Sequence, residues 1–212
     1  MRIDELIIAD NFLDRKDFDQ LCRLKFDDVK NGTKVYHNEI DKNDKIKISC
    51  LDKDLITRLH KNYHKKATDI LRKLCPQKLD LYEYSDFTII ITHKNFEYPF
   101  HDDTPNKILS GVIYLSPEKN AGTMFSLGTN KENSIKHSVE WKPNRAVFFS
   151  RKEKETWHSY KGDGISNRIA LVYNLNTSKI RDVYKIEKKS YFLGLLRYKI
   201  NPYLYRYFKF TI

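Results

Sequence analysis

The chain has 212 residues, with 39 Lys or Arg against 28 Asp or Glu, and contains only 7 glycines and 6 prolines. This composition excludes collagen-like, low-complexity and disordered chains, and the length fits one domain with a substantial core. Cys22, Cys50 and Cys75 form no C-x-x-C pair, which predicts reduced thiols and a cytoplasmic location. Because no secretory leader or membrane-length apolar run is found, we expect a soluble protein.

The net charge of +11 is concentrated near the C-terminus. Residues 179–212 hold nine basic and two acidic residues, so this tail carries +7 and the remaining 178 residues carry +4. Lysine outnumbers arginine 28 to 11, whereas base and phosphate recognition favours the planar guanidinium. The charge distribution therefore disfavours a nucleic-acid partner for the main body and leaves the tail as a separate question.

The first third of the chain is predicted to be mainly helical. A short strand in residues 5–13 leads to a helix with Asp14 as N-cap, which buries Phe18, Leu21 and Cys22. Residues 27–50 are polar and predict a loop. Apolar residues at helical spacing predict an amphipathic helix over 54–74, ending before Pro76.

After residue 80 the pattern changes to short segments rich in β-branched and aromatic residues. Eight strands are predicted at 81–92, 98–101, 107–115, 122–126, 134–141, 145–150, 155–160 and 168–175. Such a series favours a mainly β fold with flanking helices, with a double-stranded β-helix (jelly-roll, cupin-like) core. We expect one domain over 1–178, with a helical part at 1–79, the core at 80–178 and a basic aromatic extension at 179–212.

His101 and Asp103 are the first candidate metal ligands. Side chains two residues apart on an extended backbone point the same way, so these two could share one ion. A histidine two residues before an acid arises by chance about once in a chain of this composition, and His37 with Glu39 matches as well. His37 lies in the polar loop and is interpreted as a solvated residue, whereas His101 lies at the edge of the strand series.

His158 and Arg168 complete the candidate site. His158 comes 57 residues after His101, far enough for the chain to return across a barrel, and Arg168 opens the last strand ten residues later. Two histidines and one carboxylate form the facial triad of non-haem Fe(II) oxygenases. A guanidinium can hold the far carboxylate of a dicarboxylate through paired hydrogen bonds.

In this region, residues 80–176, the chain resembles the 2-oxoglutarate and Fe(II)-dependent oxygenases, most closely their prolyl 4-hydroxylase-like branch. The motifs occur in the family order: His101-Asp102-Asp103, Tyr114-Leu115, Gly122-Thr123, Pro143 with Phe148-Phe149, Trp157-His158 and Arg168. The resemblance implies that His101, Asp103 and His158 are catalytic iron ligands and that Arg168 anchors 2-oxoglutarate. Ser110 or Tyr114 could donate a further hydroxyl to that cosubstrate, or both could be ordinary strand residues.

The resemblance also implies the reaction that this family catalyses. It consumes 2-oxoglutarate and O2, releases succinate and CO2, and hydroxylates a substrate; ascorbate is a further candidate cofactor. The nearest branch implies a prolyl or other protein side-chain hydroxylase, and a small metabolite or sugar derivative is the alternative. Nucleic-acid demethylation is disfavoured because Asn174 stands where that branch carries a second arginine.

Two other classes remain as alternatives. His60 and His64 could share a zinc ligand face on the second helix, but the glutamate of H-E-x-x-H is missing, so they are interpreted as a solvated helix flank. A non-enzymatic, cupin-like metal-binding barrel would share the fold and the metal.

The tail contains nine aromatic residues interleaved with its nine basic ones. Its apolar residues are expected to pack on the barrel or on a second subunit, with the lysines solvated. The alternative is contact with an acidic partner or with a membrane surface.

Overall fold

A computed structural model describes residues 5–127 and 135–208. The strands within these residues are β1 (Leu6–Ala9), β2 (Thr33–Tyr36), β3 (Glu39–Asp41), β4 (Ile46–Ile48), β5 (Tyr84–Thr92), β6 (Glu97–His101), β7 (Lys107–Ser116), β8 (Met124–Leu127), β9 (Ile135–Ser138), β10 (Ala146–Phe149), β11 (His158–Lys161) and β12 (Arg168–Asn176). The helices are α1 (Arg15–Cys22), α2 (Lys53–Leu74), α3 (Ile180–Ile186) and α4 (Tyr191–Phe208), and a 3₁₀ helix covers Pro76–Leu81.

The strands form two antiparallel sheets. The larger has the order β1-β10-β7-β12-β5-β3-β4, with β2 also pairing with β5, and the smaller has the order β6-β11-β8-β9. Side chains from both sheets line one cavity between them. The strands predicted after residue 80 are confirmed, except that residue 134 of the 134–141 segment lies outside the described residues.

Two predictions for the first third were wrong. Residues 27–50 contain β2, β3 and β4, and β2 and β3 add to the larger sheet beside β5. Their short, lysine-rich sequences look polar because alternate side chains face solvent at the sheet edge, where charged residues also discourage further pairing. Cys22 is exposed rather than buried, because it is the last residue of α1.

The long helix α2 covers the larger sheet. Asp52 caps it, its carboxylate accepting a hydrogen bond from the backbone N–H of Leu55 at 2.9 Å. The apolar side chains Leu55, Leu59, Ala67 and Leu71 repeat at helical spacing and are buried in the main core. Replacing one of these leucines by alanine would cost about 2–5 kcal/mol of folding free energy.

The C-terminal helices are tied to the barrel by a buried ion cluster. Glu187, which ends α3, accepts from Lys78 at 2.8 Å and from Arg151 at 2.6 Å. Helix α4 packs closely on α3, since a Cβ added at Gly194 would lie 2.2 Å from the Tyr184 ring. Among the described residues, no helix combines the length and apolarity needed to cross a bilayer.

Candidate metal centre and cosubstrate pocket

His101, Asp103 and His158 meet at one end of the cavity between the sheets. His101 ends β6 and His158 begins β11, and the two residues are direct partners in the antiparallel ladder. The ligand atoms of the three side chains all lie within 4.8 Å of one another, and no other such group occurs in the part of the chain that the structure describes. The pairing of two strands that are distant in sequence thus assembles the triad.

Both imidazoles present the nitrogen that a metal needs. The Nδ1 atom of His101 lies 3.0 Å from the carbonyl oxygen of Pro99, and that of His158 lies 3.1 Å from the carbonyl oxygen of Thr156. A carbonyl oxygen only accepts, so each Nδ1 must carry the proton and donate it. The lone pair is therefore on Nε2 in both rings, which is the state of a metal-binding histidine.

The protonation states of the triad also suit a cation. Burial, with a contribution from His158, lowers the pKa of His101 to about 3, and burial lowers the pKa of His158 as well. Burial alone would raise the pKa of the Asp103 carboxyl, but nearby Lys107 and the two histidines bring it below its usual value. At neutral pH the site therefore offers two neutral imidazoles and one carboxylate.

Asp103 is held by partners on three sides. Its Oδ1 accepts from the Lys107 ammonium at 2.6 Å, and its Oδ2 accepts from the Ser110 hydroxyl at 2.5 Å. Its backbone carbonyl accepts from Nε of the buried Arg151 at 3.0 Å, and Arg151 is in turn paired with Glu187. The carboxylate is thereby fixed from both its side chain and its backbone.

Arg168 lies in the same cavity as the triad and is only 7% exposed. Its guanidinium stacks 3.9 Å from the centre of the Tyr160 ring and donates to the Thr123 hydroxyl at 3.4 Å. Its Nε has no hydrogen-bond partner, and no described carboxylate forms an ion pair with it. Burial lowers the pKa of Arg168, which remains a buried cation without a counter-ion.

The cavity that joins the triad to Arg168, here called the inner cavity, has a volume of about 350 Å³. Ser110, Thr123 and Asn174 are among its lining residues. Thr123 is fixed by Tyr114, whose hydroxyl donates to the Thr123 hydroxyl at 3.0 Å and accepts from its backbone N–H at 2.9 Å. The preceding Gly122 allows this turn, since a Cβ there would lie 1.7 Å from the Val139 carbonyl oxygen. The volume fits a small organic ligand.

A second cavity of about 580 Å³, here called the outer cavity, is lined by His101 and Asp103 of the triad. Both cavities include Tyr98, His101, Asp103 and Lys107 among their walls. The far wall of the outer cavity comes from α4 and includes Arg197, Tyr198 and Asn201. His101 and Asp103 therefore lie where the two cavities meet, while His158 lines the inner cavity only.

The structure separates the predicted cosubstrate contacts. Ser110 bonds to the carboxylate of Asp103, so it lies at the metal end of the inner cavity. Tyr114 is fully buried, stacks on Trp141 at 4.4 Å, and reaches the Arg168 end through Thr123. Because the two hydroxyls bond to groups at opposite ends of the cavity, they cannot serve one carboxylate in the same way.

The other histidines lie apart from this site. His60 is only 4% exposed, so its interpretation as part of a solvated flank was wrong: its ring contacts His64 and Phe87, because this face of α2 packs against the larger sheet. His37 is half-buried and bonds to the Thr88 hydroxyl at 2.9 Å, so it is not simply solvated either. Neither belongs to a group of three potential ligands among the described residues.

Sequence reasoning missed Lys107, Arg151 and Tyr160, and it gave Thr123 no role beyond the Gly122-Thr123 motif. Lys107 follows Asp103 by four residues in a turn that the sequence suggests only weakly, and Arg151 comes from a loop after β10 that carries no motif. Tyr160 could have been noticed, because it lies two residues after His158 on the same strand and so faces the same cavity.

Sequence comparison finds neither a matching family model nor a matching curated protein. Solved structures do match in fold. A prolyl-4-hydroxylase from Pseudomonas putida is 14% identical with a TM-score of 0.56, and the match covers 82% of this chain and 94% of that one. An oxidoreductase of the 2OG-Fe(II) oxygenase family from Burkholderia pseudomallei is 15% identical with a TM-score of 0.58, covering 81% and 84%.

A prolyl hydroxylase from Trichoplax adhaerens, solved with a hypoxia inducible factor peptide fragment, is 15% identical with a TM-score of 0.51, and the match covers 84% of this chain and 86% of that one. The jelly-roll core and the resemblance expected from the sequence are both confirmed at the level of fold. The chain has the double-stranded β-helix fold of the 2-oxoglutarate and Fe(II)-dependent oxygenases, with its structural neighbours including the prolyl 4-hydroxylases.

Proposed function

We propose that the protein is a 2-oxoglutarate and Fe(II)-dependent dioxygenase that hydroxylates its substrate. The single observation that carries the proposal is the inner cavity, which joins a triad of two neutral histidines and one carboxylate to a buried arginine without a counter-ion. The triad matches the donor set of non-haem Fe(II) sites. The buried guanidinium can bind one carboxylate group of a dicarboxylate through paired hydrogen bonds. Either feature alone would also suit a protein of another class, whereas the fold and both features together support this reaction class.

His101, Asp103 and His158 would hold the iron through Nε2, a carboxylate oxygen and Nε2. When bound, iron with 2-oxoglutarate and O2 supplies the oxidising power for hydroxylation, while succinate and CO2 are released. Ser110 and Lys107 orient the Asp103 carboxylate and hold its charge in a buried site. The backbone carbonyls of Pro99 and Thr156 keep both imidazoles in the required tautomer.

Arg168 would bind the far carboxylate of 2-oxoglutarate at the other end of the inner cavity. Its guanidinium is already oriented by Tyr160 and Thr123, so little side-chain freedom is lost on binding. The Thr123 hydroxyl, held by Tyr114, is the nearest further donor for that carboxylate. We therefore propose that Tyr114 acts through Thr123 and that Ser110 acts through Asp103.

The outer cavity is the proposed route for the substrate, because it reaches His101 and Asp103 and is separate from the inner cavity that holds Arg168. Its volume suits a peptide side chain with its flanking backbone or a small metabolite. A prolyl or other protein side-chain hydroxylase is the first candidate, and a hydroxylase of a metabolite or sugar derivative is the second. O2 and ascorbate remain proposed as cosubstrate and accessory reductant.

The test is turnover of the cosubstrate. Purified protein with Fe(II) and 2-oxoglutarate is expected to form succinate slowly without substrate, and His158→Ala should abolish this, as measured by NMR. Substrate is then sought with proline-rich peptides, a metabolite pool and a methylated oligonucleotide, each scored by stimulated succinate formation. The absence of both succinate and Fe(II)-dependent binding of 2-oxoglutarate would overturn the proposal and favour a cupin-like metal-binding protein.

A further inference from the structure

Exposed apolar side chains are concentrated on α4. Of the eleven large hydrophobic side chains that are exposed in the described part of the chain, six belong to this one helix. They include Phe192 at 73%, Leu196 at 48%, Tyr203 at 65% and Tyr207 at 68% exposure. Isolated exposed apolar residues are ordinary, but a cluster of this size marks a contact surface.

These four residues lie on one face of the helix. At about 100° per residue, positions 192, 196, 203 and 207 fall within roughly 60° of one another, and Leu193 and Ile200 extend the same face. We call Phe192, Leu196, Tyr203 and Tyr207 the apolar stripe. Arg197 and Asn201 lie on the opposite side, toward the outer cavity. The stripe therefore faces away from the barrel.

The stripe is bordered by positive charge. Lys199 and Arg206 flank it on the helix, both are exposed, and neither forms an ion pair within the described residues, although Arg206 also lies at the wall of the outer cavity. The whole segment from Lys188 to Ile212 contains no aspartate or glutamate. A partner for this surface must therefore combine an apolar interior with negative charge at its border.

Two occupants fit this surface poorly. A second copy would place one cationic helix against another across a symmetric interface, with no acidic residue in either segment to offset the repulsion. A nucleic acid could stack on Phe192, Tyr203 and Tyr207, but the exposed Leu193 and Leu196 on the same face can neither stack on bases nor bond to phosphates. The expected packing of these residues on the barrel is also not observed, since they are exposed.

We propose that α4 docks the protein on a bilayer surface that contains anionic lipids. The leucines and phenylalanine would enter the acyl boundary, tyrosines would lie at the headgroup level, and Lys199 with Arg206 would contact lipid phosphates. Anionic lipids are found on the cytoplasmic leaflet, which agrees with the location that the cysteine usage predicts. The close packing of Gly194 on Tyr184 holds α4 to α3, which Glu187 ties to the barrel, while the stripe faces the lipid.

The experiment is co-sedimentation of the full-length protein with vesicles. Binding is expected to vesicles of phosphatidylcholine with about 30% phosphatidylserine, and to be at least about tenfold weaker to pure phosphatidylcholine or at high salt. Phe192→Ser combined with Leu196→Ser should abolish sedimentation, and Lys199→Gln should weaken it about fivefold. Circular dichroism checks folding.

Matched controls lie elsewhere on the surface. Ile165→Ser removes an apolar side chain that is 78% exposed, and Lys61→Gln removes an exposed lysine on α2; both should leave vesicle binding unchanged. Equal binding to neutral and anionic vesicles, or full binding by the Phe192 and Leu196 double variant, would overturn the proposal. So would a dimer in sedimentation velocity that this double variant dissociates, since the stripe would then belong to a second copy. Succinate formation is measured separately and does not affect the outcome.

Discussion

The two ends of the inner cavity differ in how their charges are satisfied. At the metal end, Asp103 has Lys107 and Ser110 as partners and the histidines have backbone carbonyls. At the other end, Arg168 is equally buried but has no carboxylate partner among the described residues. At the first end the charged and polar groups are paired with one another, whereas at the second end a buried cation lacks a counter-ion. The two ends should therefore respond differently to mutation.

The largest effect is expected at the metal end. His158→Ala removes one of the three proposed ligands. Binding of Fe(II), or of Co(II) as a spectroscopic substitute, should therefore weaken by more than the roughly 100-fold loss that follows mutation of a residue that only orients a ligand. Titration followed by absorption measures this, with His93→Ala as the control. Unchanged Co(II) binding by His158→Ala would place the metal elsewhere.

A change at Arg168 should weaken the binding of 2-oxoglutarate without lowering the stability of the fold. Arg168→Met is expected to raise the KM for 2-oxoglutarate about 10- to 100-fold, because hydrogen bonds to charged groups contribute about 1.5–3 kcal/mol. The same change should leave metal affinity unaltered and raise the Tm of the empty protein, since an unpaired buried charge is removed. A lowered Tm with an unchanged KM would contradict the assignment of Arg168 as the anion site.

A variant of Arg151 tests whether metal binding depends on the hydrogen bond from Arg151 to the backbone carbonyl of Asp103. Arg151→Lys keeps the charge that pairs with Glu187 but loses the hydrogen bond from Nε to the Asp103 carbonyl. Metal affinity should fall about tenfold, while the KM for 2-oxoglutarate at saturating metal stays constant. Arg145→Lys, in an exposed ion pair with Asp10, is the control and should change neither quantity. A lower Tm with unchanged metal affinity in Arg151→Lys would show that Arg151 stabilises the fold and does not position Asp103.

Asp17 offers a buried carboxylate remote from the cavity. Burial would raise its pKa, but hydrogen bonds from Tyr63, Arg58 and Asn62 lower it below the usual value. A lowered folded-state pKa stabilises the protein above the unfolded-state pKa, and that stability is lost as pH falls through the folded value. Asp17→Asn should cost about 1–3 kcal/mol of unfolding free energy at neutral pH and less below about pH 4, measured by urea denaturation. A constant cost across this range would rule out the linkage.

The strand pattern and the shared face of His101 and Asp103 could be predicted from the sequence because each depends on short-range spacing, whereas His158 was assigned through the family resemblance. The β-branched and aromatic content of 107–115 predicts β7, and the two-residue offset of His101 and Asp103 predicts a shared face. Residues that act through tertiary contacts left no such pattern. Arg151 reaches Asp103 across 48 positions, and β2 and β3 became strands only because β5 offers them an edge. The exposure of the side chains in the tail could not be predicted from the sequence either, because aromatic and basic residues occur both in helices that pack on a core and in helices that face solvent.

The lone guanidinium of Arg168 also bears on the lifetime of the folded chain. A ligand that binds only the folded state lowers the unfolded population in proportion to its occupancy. If Arg168 binds 2-oxoglutarate as proposed, adding this compound should therefore also protect the chain from proteolysis. In a cell, the abundance of this protein would then rise and fall with the concentration of a central metabolite, even when no substrate is being hydroxylated.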